Sequence, residues 1–141
     1  MPAAKTALDP ARLTTAVERL FSVLRHGNPP NDISLTAAST LRRLEREGPH
    51  RLTELAAAEG VTQPAMTQLA QRLERDGLAE RTTDATDGRV VLVRVTQAGR
   101  DLLARRRTVR AEHLAALLRD LSAEDEALIA AALPALERLA P

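Results

Sequence analysis

The chain has 141 residues, 44% of them hydrophobic and 28% charged, with a formal net charge of +1; this is an ordinary globular balance at a length that suits one domain, or one domain with a helical appendage. It has no cysteine, which excludes disulfides, thiol catalysis and cysteine-based redox sensing. No run approaches the length needed to cross a bilayer, and the opening MPAAKTALDPARL lacks the apolar core of a signal peptide, so a cytoplasmic protein without membrane contact is expected.

Phe21 is the one aromatic residue, so the core must be built from Leu, Val and Ala, and Leu and Ala favour helix. Asp9-Pro10 opens a first helix, with Asp as N-cap and Pro in the first turn. Leu13, Val17, Leu20, Phe21 and Leu24 then recur on one face, and Gly27-Asn28-Pro29-Pro30 ends it. Leu35 and Thr36 lead into a second helix with Leu41 and Leu44 inward and Arg42, Arg43 and Arg46 outward; Gly48-Pro49 stops it. Thr53 is placed to cap a short third helix, closed by Gly60. Val61-Thr62-Gln63-Pro64 makes a tight turn into a fourth helix, and Pro64 lies where a missing N–H costs little. Met66, Leu69, Ala70 and Leu73 form its inner face. Gly77 is an αL terminator, with Leu78 packing after it.

From Thr83 to Arg100 the chain reads TDATDGRVVLVRVTQAGR. Asp87-Gly88 is a turn signal, because Gly takes positive φ without steric cost. Val90 to Val95 has the β-branched character of a strand, and Thr96 is an N-cap for a long helix running to about Leu121. That helix carries Leu102, Leu103, Val109, Leu114, Leu117 and Leu118. Ser122 and Asp125 then form a capping-box-like start for a last helix with Leu128, Ala132, Leu136 and Leu139. Pro134 should kink or interrupt it. A lone hairpin is marginal in water, so its inner side chains must pack on the short helices. The order implies a mainly α fold with a small β-hairpin: a winged helix-turn-helix flanked by helices from both ends of the chain. Residues 8–33 are expected to form an N-terminal dimerisation helix and loop, 34–98 the winged helix-turn-helix domain, and 99–141 the C-terminal dimerisation helices. The terminal apolar faces lie outside the compact core and need burial, which a second copy would supply.

The stretch LTELAAAEGVTQPAMTQLAQRLERDGLAER, Leu52 to Arg81, resembles the helix-turn-helix of MarR-type transcriptional regulators. Asp87-Gly88-Arg89 resembles the Asp-x-Arg of their wing, and Thr96 to Gly99 resembles their wing-to-helix junction. The flanking helices fit as well, so the resemblance covers nearly the whole chain. The cysteine of peroxide-sensing members is missing, and the aromatic residues that many ligand-responsive members place around a pocket are almost absent. The resemblance implies a wing that straddles the phosphate backbone with Arg89 in the minor groove. Arg suits that role because its charge is permanent and a narrow groove has negative potential. Asp87 then orients Arg89 or another Arg. The bland alternative is a hairpin turn beside a solvated charge.

The fourth helix should enter the major groove with its N-terminal residues at base edges. Gln63, Pro64, Ala65, Thr67, Gln68 and Arg72 are the readout candidates: Gln pairs with adenine, Arg with guanine, and Ala, Pro or the Thr methyl touch the thymine methyl. Thr62 reads as a cap whose hydroxyl also reaches a phosphate. Arg51 and Thr53, at the start of the third helix, are phosphate candidates, since helix N-termini favour anions; capping by Thr53 explains its position equally well. Arg105-Arg106-Arg107 reads mainly as a solvated face.

His26, His50 and His113 are scattered and lack zinc-motif spacing, although some family members sense zinc. No catalytic triad, phosphate-binding Gly loop or dinucleotide fingerprint is present. An enzyme is therefore not expected, and neither a cofactor nor a metal is expected. The leading expectation is a homodimeric repressor bound to double-stranded DNA at a pseudo-palindromic operator, with a small-molecule effector that weakens binding by shifting the spacing of the recognition helices. The competing expectation is a winged-helix module that binds a protein instead, because the fold hosts both roles.

Overall fold

The computed structural model describes residues 8–28 and 32–140. Its elements are α1 (Pro10–His26), α2 (Leu35–Glu47), α3 (Leu52–Glu59), α4 (Gln63–Arg75), β1 (Ala79–Thr83), β2 (Val91–Val95), α5 (Gln97–Leu118) and α6 (Ala123–Leu139). They divide into two compact units, one spanning Pro29–Thr108 and the other combining Met1–Asn28 with Val109–Pro141. Among the described residues no helix is long and apolar enough to cross a membrane. Pro29-Pro30, expected to help end the first helix, lies outside the described residues.

The core of the first unit follows from helical spacing. Leu41 and Leu44 of α2, Leu55 of α3, Met66 and Leu73 of α4 and Val93 of β2 are all fully buried. Each such side chain removed from water contributes roughly 1.5–3 kcal/mol. Leu69 and Ala70 complete the buried face of α4. The hairpin joins this core on one face only: Ala79, Val93 and Val95 are buried while Arg94 and Val91 stay exposed, the alternation of a half-covered strand. The two strands pair antiparallel, from Ala79 opposite Val95 to Thr83 opposite Val91. The segment before α3 braces them, since His50 and Val93 exchange both backbone hydrogen bonds at 3.0 and 2.8 Å. The marginal hairpin is thus held by apolar packing and by this extra bridge.

Thr96 welds the wing to α5. Its hydroxyl accepts from the Gly99 amide at 3.1 Å and donates to the Gly77 carbonyl at 2.6 Å, so one oxygen serves as N-cap and as a tie to the end of α4. Gly99 has to be small. A Cβ there would collide with the Leu78 carbonyl oxygen and lie 2.7 Å from Val95 Cγ2.

Local signals set most boundaries. Asp9 caps α1 through the Ala11 amide at 2.9 Å, Ser34 caps α2, and Ser122 caps α6. Gly60 and Gly77 take positive φ. Three expectations need correction. Thr53 is not the cap of α3, which begins one residue earlier; Arg51 occupies the cap position, and its amide donates to Glu54 Oε2 at 2.9 Å. Gly88 is not among the positive-φ glycines, so the turn does not depend on glycine's conformational freedom. Pro134 does not interrupt α6, which continues through it to Leu139. That helix has no buried residue, so water can satisfy the carbonyl left without an N–H partner.

In the second unit Gly27, at the end of α1, lies against the His113 ring of α5, where a Cβ would come within 2.9 Å. Arg110 Nε donates to Asn28 Oδ1 at 3.0 Å. Val17, Leu20 and Phe21 of α1 and Leu128, Ile129, Leu133, Leu136 and Leu139 of α6 are exposed.

Candidate nucleic-acid interface

Thr62 organises the start of α4. Its hydroxyl accepts from the Ala65 amide at 3.3 Å, and the first residues of the helix project beyond the core. Gln63, Pro64, Ala65, Gln68 and Arg72 are exposed and Thr67 is half-buried. Met66, Leu69, Ala70 and Leu73 take the opposite face into the core, so burial on one side fixes what is presented on the other. Ala65, Gln68 and Arg72 also line a shallow groove of about 210 Å³ with Thr36, Val61 and Leu69. Arg51 and Thr53 are exposed at the N-terminal end of α3.

The wing tip carries Arg89, whose side chain is 92% exposed. Asp87 Oδ1 accepts from the Arg89 amide at 3.1 Å and from Arg89 Nε at 3.2 Å. That contact uses the inner nitrogen of the guanidinium and leaves both outer nitrogens without a partner among the described residues. The Arg89 hydrogen bonds hold the Asp87 carboxyl below its usual range, and the more distant Arg51 adds to this. Asp87 therefore binds Arg89 within an exposed turn.

Nearby cations are not equally available. Arg81 is paired with Glu74 at 2.8 Å and Arg94 with Glu80 at 2.8 Å, so these strand residues are locally neutralised. Arg72 and Arg75 have no ion pair among the described residues. The Arg105-Arg106-Arg107 run is not one solvated face: Arg106 is 3% exposed and its Nη2 lies 2.9 Å from Asp32 Oδ2, while Arg107 pairs with Glu45. Arg106 and Asp32 went unrecognised in the sequence, as did Asp84, whose Oδ1 gathers three donors from the wing tip. An Asp two residues before a Thr in a polar loop is the local signature of that turn.

His26 Nδ1 lies 2.7 Å from the Ser22 carbonyl, and His50 lies beside Glu47 and the Gly48 carbonyl. Among the described residues no three His, Asp or Glu side chains come together as a metal site.

The comparisons with known proteins agree with this arrangement. The MarR family model matches residues 33–91. An HTH-type transcriptional regulator of Mycobacterium tuberculosis is 36% identical over 120 residues, covering 85% of this chain and 84% of that protein. The chain belongs to the MarR family. An uncharacterized HTH-type transcriptional regulator of Mycobacterium leprae is 38% identical over 112 residues, 79% of this chain and 78% of that one. Among solved structures, the transcriptional regulator Tm0710 from Thermotoga maritima superposes with a TM-score of 0.78 at 26% identity, covering 93% and 94% of the two chains. A Pseudomonas aeruginosa PA01 chain does so with a TM-score of 0.79 at 32% identity, covering 92% and 91%. The MarR match and these relatives make the protein a DNA-binding transcriptional regulator rather than an enzyme, with α3 and α4 as its helix-turn-helix and β1–β2 as its wing.

Proposed function

We propose that this MarR-family regulator works in the cytoplasm as a homodimeric repressor that reads a pseudo-palindromic operator. In this reading α4 enters the major groove, where Gln63, Pro64, Ala65, Thr67, Gln68 and Arg72 face base edges, and Arg89 enters the flanking minor groove. Arg51, Thr53 and the Thr62 hydroxyl face phosphates. A small-molecule effector releases the operator by favouring a dimer whose recognition helices are wrongly spaced. The observation that carries the reading is the outward presentation of Arg89: a guanidinium held by its inner nitrogen, with both outer nitrogens unpartnered among the described residues.

The dimer reading is supported by the exposed apolar residues of α1 and α6. Val17, Leu20, Phe21, Leu128, Ile129, Leu133 and Leu136 are exposed in the single chain, and apolar patches of this kind mark association surfaces. Sedimentation at micromolar concentration should give twice the 15.3 kDa chain mass. A clean monomer would reject the dimer and the paired half-sites with it.

Arg89→Ala tests the wing. Each lost phosphate-neutralising contact lowers the slope of log K against log salt by about 0.9, so the dimer's slope should shrink by at most roughly 2. Wild type should prefer A·T-rich steps under the wing, where the groove is narrow. The variant should lose that preference while keeping discrimination under α4. Equal slopes and equal flank preferences would reduce Arg89 to a surface charge beside a turn.

A further inference from the structure

The tip that joins β1 to β2 spans residues 84–90 and uses no glycine at positive φ. A side chain shapes it instead. Asp84 Oδ1 accepts from the Thr86 amide at 2.8 Å, the Thr86 hydroxyl at 2.6 Å and the Asp87 amide at 3.3 Å. The Asp84 amide donates to the Val90 carbonyl at 3.0 Å, and the Val90 amide donates to the Asp87 carbonyl at 3.0 Å. The backbone of Asp87 is therefore fixed from both sides. Its carboxylate is then in place to hold the Arg89 amide and Nε.

We propose that Asp84 is the positioning residue for Arg89: one carboxylate oxygen sets the Asp87 backbone, Asp87 sets the guanidinium, and the wing meets DNA with Arg89 already aimed. Asp84 does not touch DNA itself. The proposal rests on the reading of Arg89 as the minor-groove contact. Its chemical requirement is an acceptor rather than a charge, because all three Asp84 side-chain bonds come from donors on one oxygen. An Asn side chain offers the same oxygen and forms the same local turn. The Thr86 hydroxyl and amide, then the Asp87 amide, hold the Asp84 carboxyl below its usual range, with Arg51 contributing. Preorganisation of this kind raises affinity by removing disorder that binding would otherwise have to freeze.

The test compares wild type, Asp84→Ala, Asp84→Asn, Arg89→Ala and the Asp84→Ala/Arg89→Ala double variant, all as full-length protein. Binding is measured on duplexes whose wing-facing steps are A·T or G·C with the half-site cores constant, and backbone order parameters for residues 84–90 are measured without DNA. Asp84→Ala should lose the flank preference as completely as Arg89→Ala and lower the order of Thr86 to Arg89, while discrimination under α4 persists. Asp84→Asn should keep both the preference and the order. The double variant should be no worse than Arg89→Ala, because both changes remove one contact. Retention of the flank preference in Asp84→Ala, with its loss in Arg89→Ala, would overturn the Asp84 proposal and leave the Arg89 reading intact. A preference unchanged in every variant would overturn both. Equal failure of Asp84→Asn and Asp84→Ala would replace the acceptor with a charge and overturn the relay, as would additive losses in the double variant.

Discussion

Inserting about 5 bp, half a helical turn, between the two half-sites of the operator should lower the affinity of one dimer by about three orders of magnitude or more. A two-fold dimer presents its recognition helices to one face of the duplex, at half-sites roughly 10 bp apart. Half a turn carries the second half-site to the opposite face. One subunit then reads bases while the other meets only backbone, so binding falls toward its non-specific level, typically a thousandfold or more weaker than specific binding. The comparison is made at fixed salt, because the phosphate contribution changes steeply with it. The measurement is a titration of the dimer on matched duplexes that differ only in the spacer. Unchanged affinity would mean that the two α4 helices dock independently, and it would reject the paired geometry.

What the sequence disclosed about this fold is what local chemistry determines. Asp9-Pro10 and Thr62-Gln63-Pro64 cap and start their helices where they stand because a cap needs only its own neighbours. Met66, Leu69, Ala70 and Leu73 are buried because helical spacing puts them on one face, and this also fixed the outward side of α4. The misses share a different origin. Thr53 has the right side chain for a cap, but Glu54 reaches back to the Arg51 amide and moves the start of α3 forward. β1 is nearly featureless as a strand in sequence, and it forms because β2 supplies its hydrogen bonds and the core covers Ala79. The turn at Asp87-Gly88 has the expected residues but a different cause, the oxygen of Asp84. Most candidate DNA-contact residues were legible as exposed positions at the start of α3, on α4 and on the wing, with Thr67 and Asp87 half-buried. Asp87 was already legible as a partner for Arg89, whereas Asp84, which shapes the turn beneath them, became visible only with geometry. Arg106 is the clearest case: nothing in three consecutive arginines says which one will be buried, because its partner lies 74 positions away in the chain.

Replacing Asp32 with alanine should destabilise the fold by about 3–5 kcal/mol, the usual cost of leaving one member of a buried ion pair alone. Asp32 lies ahead of α2 and Arg106 on α5, both within the helix-turn-helix unit. Arg106 is 3% exposed, and Asp32 Oδ2 receives its Nε at 3.0 Å and lies 2.9 Å from its Nη2. No other acidic group forms an ion pair with Arg106 among the described residues. Positive charge is already crowded there: burial first, and then Arg106, push the Arg42 guanidinium below its usual range, with Arg107 adding to the effect. Without Asp32, Arg106 would keep the desolvation cost and the repulsion while losing the attraction that offsets them. The pair is also only partly satisfied: among the described residues Asp32 Oδ1 and both outer nitrogens of Arg106 have no hydrogen-bond partner, although Nη2 stays within ion-pair distance of Asp32. An incompletely satisfied buried pair adds little over well-packed apolar groups of similar volume. Asp32→Leu combined with Arg106→Met should therefore recover most of the loss. Urea unfolding at one fixed protein concentration measures each variant, because dimerisation makes stability depend on concentration. A loss below about 1 kcal/mol for Asp32→Ala would show that Arg106 escapes to water, since only a solvated cation tolerates the change so cheaply. A double variant as unstable as Asp32→Ala would show that the pair contributes attraction that apolar packing cannot replace.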